Sequence, residues 1–243
     1  MIEQKGMGQM GNLVRPRIAL LGRFAEHTSA TRYSAIVTSE KLAQMIWDLG
    51  GEPLTLLPAI ESNWKSRLAG FSGVLMPGGG DVNPATYGEM PSSEHLYGIN
   101  DLQDATDVEL FNFALREAIP VLTICRGTQI ANVALGGSLT QHMNSPHIDH
   151  VSVIEFDTTD SELQLSHSKV QALCYHHQAI NTLGKGIEVL ARGAEGHVEA
   201  VKYPVKHWAY GVQWHPEFNY QEEPLQSEFV AAFIDAAREF GSF

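Results

Sequence analysis

The stretch Ile119–Gly137, IPVLTICRGTQIANVALGG, decides how this chain is read. A short apolar run, Pro120 to Ile124, stops at Cys125, and a helical pattern begins at Arg126 with no linker between them. A strand that passes directly into a helix leaves its junction residue on a sharp turn, at the carboxyl end of one element and the N-terminus of the other. That is the geometry of a nucleophile elbow. The free N–H groups and positive dipole end of the helix favour thiolate over thiol, lowering a cysteine pKa from its usual value of about 8.5. Gly127 lacks a Cβ and so suits the close backbone approach that such a turn demands. Taken alone, Cys125 reads more readily as a small buried hydrophobe. A partner elsewhere has to decide.

Working outward, the first half alternates short apolar runs with helical patterns. RIALLG (17–22) leads to a helix over Thr38–Leu49, then EPLTLLP, a short helix over Glu61–Ala69, and FSGVLMPGGG (71–80). A long helix over Asp101–Ala118 precedes the strand before Cys125. These strands are apolar without strict alternation, the pattern of a parallel sheet buried on both faces by helical crossovers. Beyond Gly137 the strand-like runs HVSVIEF, IEVLARG, HVEAVKY and AYGVQWHPE are separated by short polar turns, so some are expected to pair antiparallel. A helix over Pro224–Phe240 closes the chain. The segment 83–100, NPATYGEMPSSEHLYGIN, is expected to form a long loop over the carboxyl edge of the sheet, where loops of that length are often functional.

The partner is at the end of YGVQWHPEF. Pro216 excludes the α conformation at His215, so extended backbone is expected to place His215 and Glu217 on one face. A carboxylate beside an imidazole fixes its tautomer and stabilises the imidazolium, completing a Cys125-His215-Glu217 triad if the fold brings them together. The loop LMPGGGDVNP supplies a third element. Its Gly79 N–H, with that of Arg126, is expected to form an oxyanion hole. No Lys-Ser/Thr follows the glycines as a phosphate loop requires, and the spacing is not the dinucleotide fingerprint. A plain turn stays open.

Composition bounds the rest. With 243 residues, 44% hydrophobic and 18% charged, the chain reads as one globular unit over 15–243 preceded by a flexible arm over 1–14. The net charge of −12, with no cluster of Lys or Arg, argues against nucleic acid and anionic membranes as partners. The opening residues form no signal peptide and no window resembles a membrane span, so a cytoplasmic location is expected. Cys174 reads as a buried strand residue, and Trp47, Trp208 and Trp214 as core. Neither Cys174, His176 and His177 nor His142, His147 and His150 show the paired spacing of a structural zinc site, so no metal is expected.

The blocks PGGGDVNPATYGE, ICRGTQIANVALGGSLTQ, YHHQAI and GVQWHPE together resemble the γ-glutamyl-γ-aminobutyrate hydrolase family of the class I glutamine amidotransferase-like superfamily. The resemblance runs from about Arg17 to the C-terminal helix. It implies a three-layer αβα sandwich with a mostly parallel central sheet, Cys125 as nucleophile, His215 as general base, Glu217 as orienting acid, and no metal or organic cofactor. It also implies substrate contacts from Gln129, one helical turn after Cys125, and from His176, His177 and Gln178, although a capped loop before a short helix explains HHQ almost as well. The implied reaction is hydrolysis of a small-molecule γ-glutamyl amide through a thioester. A glutaminase subunit feeding ammonia to a synthase, and a γ-glutamyl sensor without turnover, are the rival functions. A homodimer is left open, dimers being the commonest assembly. One departure stands out: Thr123 occupies a position where relatives usually carry Gly or Ala, and its branched Cβ is expected to crowd the elbow.

Overall fold

The computed structural model describes residues 14–60, 63–156, 163 and 165–241. The expected arm over 1–14 lies almost wholly outside these residues, as does the start of the helix expected at Glu61. The central strands are β1 (Arg17–Leu21), β2 (Glu52–Leu56), β3 (Gly73–Met76) and β4 (Val121–Ile124). They are followed by β5 (His147–Phe156), β6 (Lys169–His176), β7 (Glu188–Arg192), β8 (Val198–Lys202) and β9 (Ala209–Val212). Together they form one sheet in the order β2-β1-β3-β4-β9-β8-β7-β5-β6. Pairing is parallel from β2 through β9 and antiparallel from β9 through β6.

Period-two alternation explains why the parallel half needs helices on both sides. Ile18, Leu20, Leu75, Leu122 and Ile124 point to one face, where α1 (Glu40–Asp48) contributes Leu42, Met45 and Ile46. On the same face α5 (Pro224–Phe240) adds Phe229, Val230, Phe233 and Ile234. Ala19, Leu21, Val74, Met76 and Val121 point to the other. There α2 (Trp64–Arg67), α3 (Asp101–Arg116) and α4 (Arg126–Ala134) supply Trp64, Leu110, Phe111, Ile130 and Ala131. The three-layer αβα architecture follows directly. Asn100 caps α3 by accepting the Gln103 N–H at 2.9 Å, and Pro224 opens α5 at a position that needs no donor. Among the described residues, no helix is long and apolar enough to cross a membrane.

Three readings are corrected here. Trp47 is not core: it is 44% exposed, with the Arg15 guanidinium over its ring at 3.9 Å, whereas Trp208 and Trp214 are buried as expected. The run AYGVQWHPE is strand only to Val212, and Pro216–Phe218 is a turn of 3₁₀ helix. After His176-His177-Gln178 comes no short helix but a two-residue strand, Ala179–Ile180, paired with Leu139–Thr140.

Candidate active site

Three adjacent parallel strands place the candidate residues. Met76 of β3 is level with Thr123 of β4, and Ile124 with Val212 of β9, so the three chains leave the sheet together at its carboxyl edge. This is where an open parallel sheet holds ligands. The chain beyond β3 is Pro77–Gly80, beyond β4 is Cys125, and beyond β9 is Gln213–His215. The Cys125 N–H still donates to Val212 O at 2.8 Å, and the His215 N–H donates to Leu173 O of β6 at 3.0 Å. Residues ninety positions apart therefore meet.

Cys125 adopts φ 52° and ψ −112°, a conformation that side-chain-bearing residues rarely take, and caps α4. The turn is held by close approach on one side. A Cβ on Gly127 would lie 2.1 Å from the Met76 carbonyl oxygen, so glycine is required there. Thr123 does not crowd the turn as the sequence suggests. Its cross-strand neighbour is Gly211, and the space a Cβ would take there is filled by the Thr123 hydroxyl, 2.2 Å from that point. The hydroxyl bonds Thr128 Oγ1 at 2.8 Å and Tyr203 Oη at 2.7 Å, and Thr128 donates to Val212 O at 2.8 Å.

His215 has φ −113° and ψ 87°, outside the α region as Pro216 demands. Its Nδ1 donates to Glu217 Oε1 at 2.8 Å. The pair is made across the 3₁₀ turn rather than by strand alternation. Burial alone would lower the His215 pKa. The neighbouring Cys125 sulfur and the Glu217 carboxylate together outweigh burial and hold it well above its ordinary value. The Cys125 sulfur also lies 3.9 Å from the Tyr175 carbonyl oxygen.

The glycine loop is fixed by charges that the sequence reading passed over. Arg23 donates from Nε to Gly78 O at 2.8 Å and from Nη2 to Pro77 O. In trans peptides the N–H opposes the C=O, so Gly78 and Gly79 direct their N–H groups away from that guanidinium. A Cβ on Gly78 would lie 2.9 Å from His215 Cε1 and 3.6 Å from Cys125 Cβ. Arg23 is in turn held by Asp107 at 3.0 Å, and the buried Arg126 guanidinium bridges Asp107 and Asp104 on α3. Burial pushes the Asp107 pKa up, but the two guanidiniums beside it bring it below its ordinary value. The spacing of Asp104 and Asp107, one helical turn apart on α3, was the signal available.

The HHQ block clamps the same loop. His177 Nε2 lies 3.0 Å from both Asp81 carboxylate oxygens, and Gln178 Oε1 accepts the Val82 N–H at 3.3 Å. Gln129 Nε2 donates to Gln178 O at 3.0 Å and to Gln213 Oε1 at 3.2 Å. The loop over 83–100 does fold onto this edge: the Tyr97 N–H donates to Asp81 at 2.9 Å, and Gly98 presses on Gly80 so closely that a Cβ on Gly80 would lie 2.6 Å from Gly98 O. The Tyr97 ring sits 5.6 Å from that of His177. His176 is set apart from this group, buried among His147 and His197, and its pKa is lowered to about 3 by desolvation.

Residues 16–217 match the Peptidase C26 family. The chain belongs to that family. It is 30% identical over 220 residues to the γ-glutamyl-γ-aminobutyrate hydrolase PuuD of Escherichia coli, covering 82% of this chain and 85% of PuuD. It is also 30% identical over 213 residues to the glutamine amidotransferase-like protein YvdE of Lactococcus lactis, covering 82% and 88%. Among solved structures, a Thermotoga maritima glutamine amidotransferase superposes with TM-score 0.63 at 14% identity, covering 93% of this chain and 99% of that one. The glutaminase domain of Trypanosoma brucei CTPS, solved with bound acivicin, gives 0.65 at 16% identity, covering 92% and 94%. This C26 member is thus a hydrolase of amide bonds with the glutamine amidotransferase fold.

Proposed function

We propose that this C26 hydrolase cleaves γ-glutamyl amides through a γ-glutamyl thioester on Cys125. The observation that carries this reading is the elbow cysteine at φ 52° beside a His215 that Glu217 holds at 2.8 Å, the two meeting at Gly78, where an added Cβ would lie 3.6 Å from Cys125 Cβ and 3.7 Å from His215 Nε2. The Cys125 thiolate attacks the δ-carbonyl carbon, forming a C–S bond, and the carbonyl oxygen takes up negative charge. The Gly79 and Arg126 N–H groups are its proposed donors, Gly79 because Arg23 turns its amide away from the guanidinium and Arg126 because it opens α4. Protonated His215 gives its Nε2 proton to the leaving amine as the C–N bond breaks. His215 then takes a proton from water, which attacks the thioester and releases glutamate and the thiolate.

Of the four residues expected at the substrate, Gln129, His177 and Gln178 are proposed to act by holding the glycine loop in place. Tyr97 and His177, side by side over Asp81, form the proposed wall facing the leaving amine. Both thiols are free and buried, which suits a reducing compartment, and the cytoplasm is the proposed location. The test uses the purified chain alone with γ-glutamyl-γ-aminobutyrate and with glutamine. Release of glutamate and γ-aminobutyrate at a kcat/KM well above that for glutamine supports the reading. Turnover of glutamine only, or only when a synthase is added, overturns it in favour of an ammonia-supplying subunit.

A further inference from the structure

Four side chains that this chemistry does not use converge beside the catalytic strands. His147 opens β5, His176 ends β6 directly opposite it, and His197 and Glu199 stand two apart at the start of β8. One ligand atom from each lies within 4.8 Å of all the others. The His147 ring is 4.7 Å from that of His197 and 5.2 Å from that of His176. His147, His176 and Glu199 are buried, Glu199 completely.

The hydrogen bonds among them are incomplete. His176 Nδ1 donates to Gln178 O at 2.9 Å, so the ring proton is there and Nε2 presents a bare lone pair. That Nε2 has no hydrogen-bond partner and faces Glu199 Oε1 at 4.0 Å. Glu199 Oε2, His147 Nδ1 and His197 Nδ1 are likewise buried without partners. The bond from His197 Nε2 to Glu199 Oε1, at 2.6 Å, leaves the other carboxylate oxygen unmet. Carboxylate and imidazole lone pairs gathered in the interior call for positive charge.

We propose that His147, His176, His197 and Glu199 bind one divalent transition-metal ion, Zn²⁺ fitting best, as a structural centre. Three imidazoles and one carboxylate are a complete tetrahedral set that suits Zn²⁺ rather than Ca²⁺ or Mg²⁺, which prefer all-oxygen sites. Bonds of about 2.0–2.1 Å put ligand atoms about 3.4 Å apart, so the widest permitted pair, at 4.8 Å, closes by about 1.4 Å on loading. The His176 bond to the Gln178 carbonyl is the outer support such ligands usually have. The same carbonyl accepts from Gln129, and the backbone just before His176 lines the Cys125 sulfur, so the ion pins β5, β6 and β8 behind the catalytic cysteine. Linear spacing shows no metal motif because the ligands come from three strands.

The test is metal content and Co²⁺ uptake. Chelator-stripped protein titrated with Co²⁺ is expected to bind one ion per chain with the intense visible bands of a tetrahedral site, which Zn²⁺ then bleaches. Cys125→Ser is expected to keep both stoichiometry and bands, which separates this centre from the catalytic pair. His197→Gln and Glu199→Gln, checked for folding by circular dichroism, are each expected to weaken binding at least about tenfold. Should they not fold, Tm decides: Zn²⁺ raises the Tm of the Cys125→Ser protein by about 5 °C or more when in large excess over Kd. No Co²⁺ uptake at micromolar concentration, uptake undiminished in folded His197→Gln and Glu199→Gln, uptake lost in Cys125→Ser, or an unchanged Tm each overturns the proposal.

Discussion

Placing a methyl group on Gly211 tests how the elbow strand accommodates Thr123. The added Cβ would arrive 2.2 Å from Thr123 Oγ1, 2.6 Å from Tyr203 Oη and 2.9 Å from Thr128 Oγ1, all inside contact distance and all in the interior. Overpacking of this kind costs about 1–3 kcal/mol. Forcing Thr123 away also breaks its bonds to Thr128 and Tyr203, and a buried hydroxyl left without a partner costs about 1–3 kcal/mol more. Gly211→Ala is therefore expected to lose about 2–6 kcal/mol in urea unfolding, with a marked fall in turnover because Thr128 and Val212 carry the strain to the base of the elbow. Thr123→Ala removes the closest of the three atoms. The double variant should thus be more stable than the two single losses imply, by a coupling of about 1–2 kcal/mol. If the losses add to within about 0.5 kcal/mol, the claim that Gly211 makes room for Thr123 is wrong.

Glu217→Gln removes the carboxylate charge that helps raise the His215 pKa and leaves only a neutral amide oxygen as acceptor. The raised value means that the catalytic imidazolium persists above the ordinary histidine pKa of about 6.5 and is lost only as pH climbs through the higher value. The variant should move the alkaline limb of the kcat/KM profile to lower pH and reduce the maximum by about 10²-fold or more, measured across roughly pH 5–10. Asp107→Asn leaves the part-buried guanidinium of Arg23 with a neutral partner and the buried Arg126 with Asp104 as its one carboxylate, so a loss of about 3 kcal/mol is expected by denaturant unfolding, with weaker activity from a released glycine loop.

The central strands were legible because burial on both faces leaves continuous apolar runs, and the elbow because the strand meets the helix at Cys125 without a linker. The edge strand β6 was marked only by the reading of Cys174 as a buried strand residue, which the structure bears out, and its extent was not legible. Its inward positions are Val170, Ala172, Cys174 and His176, and three of those four are not residues that announce a strand. Trp47 misled because an indole can rest on the surface beneath a guanidinium as well as in a core. His215 and Glu217 were paired correctly from their spacing, although the structure makes the pair through a turn. The same two-residue interval between His197 and Glu199 went unread, since nothing in the chain order shows that β5 and β6 bring two more imidazoles to that place. Likewise Arg23 lies 84 residues from Asp107, and only the packing of β1 against the glycine loop joins them.

The account's central claim is that the sulfur of Cys125 carries the glutamyl group during turnover. Rapid acid quench of the enzyme during steady-state hydrolysis of a γ-glutamyl amide, followed by peptide mass mapping, tests this directly. One glutamyl group on the peptide containing Cys125, labile to hydroxylamine and absent in a folded Cys125→Ala protein that no longer hydrolyses substrate, is the expected result. Undiminished hydrolysis by Cys125→Ala, or the acyl group found on another residue, would contradict it.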